Sequence, residues 1–238
     1  MKNVSRLISD VEILVNSNHF SSAHFLLTTA KEEMAKSYIF LDMCRLNFLK
    51  HKDVLKKLCR AFYDHISKYA YFQLHYFWRI NNMSHAKEIW KDETTKWWPV
   101  DDITSGEPDM PNDIYFEREM PLYVDYREYD QRWSVPDDDE ESFNFEKGIG
   151  ADIITKAKEI LDKIVFTSSA GLFNTECLKI LNDEFQNKYI SDKTGNSIIE
   201  KINERVAIRL YTEQKIELES FFKSIFRDWP LYHFLTIN

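Results

Sequence analysis

Between residues 20 and 80 the apolar residues recur every three or four positions, the spacing of one face of an α-helix. Two stripes result, and each is interrupted by one strongly polar residue. The first stripe reads Leu26, Ala30, Glu33, Ser37, Phe40 and Cys44, with Glu33 its only charge. The second reads Leu55, Leu58, Phe62, His65, Tyr69, Phe72 and Tyr76. A carboxylate and an imidazole on apolar faces each need a partner if buried. The pattern therefore predicts that Glu33 and His65 belong to one polar site between packed helices.

The rest of the chain favours the same architecture. Five glycines in 238 residues leave room for few tight turns, which favours long helices over a many-stranded sheet. Helices are expected over 3–17, from a cap at Ser21 or Ser22 to about Leu49, and from a cap at Asp53 to Arg79 or beyond. The link Lys50–Asp53 is short, so the second and third helices should lie antiparallel. The aromatic second half of the third, Tyr69 to Trp78, reads as either a packed core or a dimer face. At Trp97-Trp98-Pro99 the periodicity stops. Five of the six prolines fall between Pro99 and Pro136, so that segment cannot be helical throughout. Its strand-like stretch is Leu122–Tyr126, followed by Trp133–Pro136 and the acidic run Asp137–Glu141. Helical spacing returns at about Glu146 and marks further helices around Ile153–Phe166, Cys177–Tyr189, Ile198–Leu210 and Phe221–Phe226. The expected fold is all-α, an antiparallel helical bundle in a single domain over 1–238. Residues 1–96 hold the core helices, 97–146 a proline-rich acidic insert, and 147–238 additional C-terminal helices.

The net charge of −8 disfavours nucleic acid as a partner for the whole surface, but its distribution changes that. Residues 31–91 carry 12 Lys/Arg against 6 Asp/Glu, whereas residues 92–146 carry 4 against 18. The segment with both stripes is thus basic, and a local basic patch can bind RNA. Taken singly, lysines such as Lys50, Lys52, Lys56 and Lys57 also read as the wet face of a helix. Cys44, Cys59 and Cys177 form no close pair, which argues against a disulfide framework and a zinc site and for a reducing compartment. No metal-ligand spacing, phosphate loop or Gly-x-Ser-x-Gly occurs, so neither metal nor cofactor is expected. No signal-peptide-like apolar run follows Met1–Arg6 and no membrane span is expected, which points to the cytoplasm.

An Arg followed a few residues later by His suits metal-free RNA cleavage. Histidine can take the proton of a ribose 2′-hydroxyl or give one to the leaving 5′-oxygen. Arginine forks onto phosphate oxygens as charge builds. Arg60 and His65 fit, and so do Arg79 and His85. Residues five apart on an ideal helix point about 140° apart. Arg60 and His65 can therefore converge only at a helix start, a kink or a second subunit. The bland alternatives are an Arg60–Asp64 ion pair and a core histidine. For Glu32 the bland alternative is a surface pair with Lys36, four residues on. His65 is preferred over His85 because it lies on an apolar stripe, with Lys68 three residues on. His85 follows Asn81–Ser84, a stretch of weak helix formers near an expected helix end.

Three segments resemble the AbiV family of abortive-infection proteins, a branch of the HEPN superfamily. They are Ala-x-Glu-Glu-x-x-Lys at Ala30–Lys36, Asp-His-x-x-Lys at Asp64–Lys68, and Leu-Tyr-Val-Asp at Leu122–Asp125 followed by Trp-x-x-Pro at Trp133–Pro136. The resemblance covers roughly the first 140 residues. It implies an all-α HEPN bundle, a homodimer with polar clefts near its two-fold, and a role in stopping phage growth. HEPN proteins are often RNases acting through Arg and His. The implied catalytic residues are His65 and Arg60, supported by Lys68, Lys36, Glu33, Glu32 and Asp64. The implied partners are a second copy, RNA, and a phage-encoded protein as trigger or regulator. Ala61 stands where the HEPN pattern usually has a polar residue after the arginine. A non-catalytic helical dimer that binds or senses a phage protein is the alternative from another functional class.

Overall fold

The computed structural model describes residues 2–76, 83–95, 97–98, 110–111, 118, 125–127, 132–134, 142–169, 173–185, 204–205, 208–209 and 212. Among these residues seven helices follow in order: α1 Lys2–Asn16, α2 Phe20–Cys44, α3 Lys52–Ala61, α4 His65–Tyr76, α5 Met83–Thr94, α6 Ser142–Ser169 and α7 Thr175–Phe185. Two short antiparallel ribbons lie between α5 and α6. Strand β1 (Trp97–Trp98) pairs with β2 (Met110–Pro111), and β3 (Asp125–Arg127) pairs with β4 (Arg132–Ser134). The fold is the expected all-α, HEPN-like one, with these ribbons inside the insert. Of the strand-like Leu122–Tyr126, Asp125 and Tyr126 fall in β3, where Tyr126 opposes Trp133, and residues 122–124 lie outside the described residues. The expected helices at 198–210 and 221–226, and the acidic run 137–141, lie almost wholly outside the described residues.

The chain divides into two compact units, residues 1–34 with 95–164 and residues 35–94 with 165–238. In the first, Val4, Leu7, Ile8 and Val11 of α1 are buried, as are Ala23, Leu27, Ala30 and Met34 of α2 and Ile153, Ala157, Ile160 and Ile164 of α6. Each set keeps the three- and four-residue step of a helix face. Asn18 ends α1 in the left-handed region at φ 62°, which asparagine tolerates better than most residues. Gly150 lets α6 approach closely, since a Cβ there would lie 2.6 Å from Phe20 Cε1.

In the second unit the start of the aromatic half of the expected third helix is core. Tyr69, Tyr71 and Phe72 are buried within the single chain, and Tyr71 meets Trp90 of α5 edge-on at 5.7 Å. Asn182 of α7 donates from Nδ2 to the carbonyls of Cys44 (2.9 Å) and Leu46 (3.2 Å). Those acceptors at the end of α2 have no partner within the helix, so α7 caps α2 from 138 residues away.

Four boundaries differ from expectation. Helix α2 stops at Cys44 because Asn47 Oδ1 accepts the N–H groups of Leu49 and Lys50, both at 3.1 Å, folding the chain into a side-chain-closed turn. It starts at Phe20, one residue after His19, whose carbonyl accepts Ala23 N–H at 3.0 Å. Ser21 and Ser22 therefore lie inside its first turn. Helix α3 starts at Lys52 after His51, so Asp53 is inside the helix, where its charge suits the N-terminal dipole. The long third helix is in fact two helices, α3 and α4, broken at Phe62–Asp64.

Candidate active site at the α3–α4 turn

The break places the predicted residues. Phe62 N–H still bonds to Leu58 O at 3.0 Å, but Tyr63 and Asp64 both donate to Arg60 O, at 2.9 and 3.1 Å. Asp64 then starts the next helix. Its Oδ2 accepts Ser67 N–H at 2.8 Å, and its carbonyl accepts Lys68 N–H at 3.1 Å. This is an N-cap, in which a short carboxylate satisfies a backbone donor that helix geometry leaves over. His65 becomes the first residue of α4, half-buried.

One turn on, Lys68 lies almost wholly buried, 4% exposed, with Nζ 3.3 Å from His65 Nδ1. An ammonium only donates. With Lys68 charged and the ring neutral, Nδ1 is the acceptor and the ring proton is on Nε2. Lys36 of α2 places Nζ 5.7 Å from the centroid of the Phe62 ring, a cation–π distance. Arg60 is exposed at the penultimate position of α3. The turn thus gathers His65, Lys68, Lys36 and Phe62 around the Asp64 cap, with Arg60 one helical end away. The positive N-terminal end of α4 adds to a field that suits an anion.

The remaining predicted residues are placed differently. Glu32 and Glu33 fall in the first unit. Glu32, not Glu33, is the buried carboxylate, 6% exposed, and it faces Arg118 Nε at 3.8 Å. Glu33 is half-buried and Phe40 exposed, so the buried face of α2 runs through Leu27, Ala30, Met34 and Leu41. Glu32 is therefore not a merely exposed partner of Lys36. His85 is half-buried at the third position of α5, a helix start and not a helix end. Arg79 lies outside the described residues.

A buried polar cluster in the second unit escaped the sequence reading. Asp42 Oδ1 pairs with Arg45 Nη1 at 3.1 Å, and Tyr71 Oη donates to Asp42 Oδ2 at 3.1 Å. Both charged side chains are about 1–2% exposed. The signal was an Asp three residues after Ile39 and seven after Ala35, on the buried face, with an Arg three residues further on. The cluster ties α4 to α2.

The thiols are set by burial. Desolvation pushes Cys44 up to about 11, opposed by Arg45 and reinforced by Asp42. It pushes Cys177 up to about 12, with Cys44 adding to the rise. Both are poor nucleophiles, and Cys59 is exposed. At the start of α3, burial and then Lys50 hold the His51 imidazole below its usual value. Among the described residues no helix is long and apolar enough to cross a membrane.

The helices form an all-α, HEPN-like fold. Residues 1–144 match the HEPN_AbiV family, described as AbiV. The match covers more than half of the chain, which belongs to this family. No curated protein and no solved structure matches it.

Proposed function

We propose that the protein is an abortive-infection effector that cleaves RNA without a metal, acting as a homodimer. The observation that carries this reading is the Asp64-capped start of α4, which sets His65 against Lys68. A ribose 2′-hydroxyl attacks the adjacent phosphorus and the 5′-oxygen leaves, giving a 2′,3′-cyclic phosphate end. Arg60 and Lys36 supply charge to the phosphate oxygens as the transition state forms. With Nδ1 accepting from Lys68, the neutral ring can hydrogen-bond a phosphate oxygen through Nε2–H. Once Lys68 releases Nδ1 and the ring exchanges tautomers, Nε2 takes the 2′-hydroxyl proton, and the imidazolium so formed gives a proton to the leaving 5′-oxygen. Lys68 thereby holds His65 out of its acid–base role until it lets Nδ1 go.

The test is purified protein incubated with RNA in the presence of a chelator. The expected result is cleavage with 2′,3′-cyclic phosphate ends, abolished in His65→Ala and largely kept in His85→Ala at matched folded concentration. Cleavage that needs added magnesium overturns the mechanism. The reverse pattern moves the site to His85. The part-buried Lys68–His65 pair also suits a purely structural role. No cleavage by the wild-type protein, with phage protection intact in His65→Ala, would establish the non-catalytic binding protein instead.

A further inference from the structure

Tyr63 sits at the tip of the α3–α4 turn and is 81% exposed, although burial of a ring that size is strongly favourable. Its backbone is fixed by the bond to Arg60 O at 2.9 Å. Its ring meets Phe62 edge-on, centroids 5.9 Å apart at 64°, and Phe62 in turn carries Lys36 at 5.7 Å. An aromatic ring on a hydrogen-bonded turn therefore stands in solvent two residues from His65 and three from Arg60. The charge around it is complementary to a polyanion: residues 52–68 carry five lysines and arginines against two aspartates. An exposed aromatic among cations, held by a fixed turn, is what a single-stranded nucleic acid uses to seat a base while its phosphates follow the charge.

We propose that Tyr63 is a nucleobase-stacking platform that seats one unpaired base of single-stranded RNA beside His65. This rests on the RNase reading and names its substrate form: unpaired RNA, because a base inside a duplex has no free face to offer. Stacking accepts any base, so the platform gives little sequence preference by itself.

The experiment measures binding of the full chain to a fluorescent 2′-O-methyl oligouridylate, which lacks the nucleophile and cannot be cleaved. Tyr63→Ala is expected to raise Kd about 5- to 150-fold, the loss of one stacked base, and Tyr63→Phe to leave it unchanged. The slope of log Kd against log salt should be the same in Tyr63→Ala as in the wild type, because no charge is lost. Arg60→Gln should flatten that slope. Tyr63→Leu separates stacking from plain apolar contact and should bind as weakly as the alanine variant. Wild-type affinity in Tyr63→Ala, with Arg60→Gln weakened, overturns the proposal while leaving RNA binding intact. Tyr63→Leu binding like Tyr63→Phe also overturns it. A wild-type protein that binds no RNA brings down the RNase reading and this proposal together. If Tyr63→Ala is monomeric where the wild type is dimeric, the ring is a subunit contact and the proposal fails.

Discussion

Replacing Asp42 by alanine tests the buried cluster that ties α4 to α2. The substitution takes away a counter-charge 3.1 Å from Arg45 and the acceptor of Tyr71 Oη, also at 3.1 Å. Removing one member of a buried pair costs about 3–5 kcal/mol, because the remaining charge has been taken out of water. The Tyr71 hydrogen bond adds about 1 kcal/mol. The two losses share one carboxylate, so they are not simply additive, and the expected total is about 4 kcal/mol. Against a typical domain stability of about 5–15 kcal/mol, that loss is large. Tyr71→Phe isolates the smaller part and should cost about 1 kcal/mol. The double variant Asp42→Leu with Arg45→Met removes both charges and keeps volume, so it should recover most of the loss. Urea unfolding followed by circular dichroism gives all three values. A cost below about 1 kcal/mol for Asp42→Ala, or a double variant no more stable than the single one, would refute the reasoning.

Asp64→Ala should cost about 1 kcal/mol in the same assay, and Asp64→Ser should restore most of it, because either side chain can cap α4. RNA cleavage should fall with the cap and return with it; a loss of stability without any loss of cleavage separates the cap from the site. Glu32→Ala should destabilise by about 2 kcal/mol and Glu33→Ala by less than about 1 kcal/mol, a ranking that thermal melts can check and that equal values would contradict. A thiol reagent at neutral pH should modify Cys59 quickly and Cys44 and Cys177 only on unfolding. The half-buried Cys44 and the buried Cys177 have folded values above the unfolded value of 9.0, about 11 and about 12. Their contribution to stability is thus complete below pH 9.0 and is lost as pH rises toward those values, because only the unfolded chain ionises there. Replacing Cys177 with alanine should flatten the alkaline fall in stability, and an unchanged slope would assign it to other groups.

Much of the fold was legible because helical periodicity is local. The spacing of Val4, Leu7, Ile8 and Val11, or of Ile153, Ala157, Ile160 and Ile164, can be read without knowing what the face packs against. The prolines between Pro99 and Pro136 excluded a continuous helix for an equally local reason: each removes a backbone donor. The break at Phe62–Asp64 was hidden because Leu58, Phe62, His65 and Tyr69 keep a helical step across it, and neither glycine nor proline marks it. Asp64 decided it by turning its carboxylate onto Ser67 N–H. The sequence did state that Arg60 and His65 can converge only at a helix start, a kink or a second subunit, and His65 stands at a helix start. It could not say which of Glu32 and Glu33 is buried, since adjacent residues differ by only about 100° around a helix and the choice depends on where Arg118 arrives. Nor could it show that Asn182 closes the end of α2 or that Tyr71 reaches Asp42. Those partners lie 138 and 29 residues away, and a hydrogen bond depends on distance in space, which only the packed chain fixes.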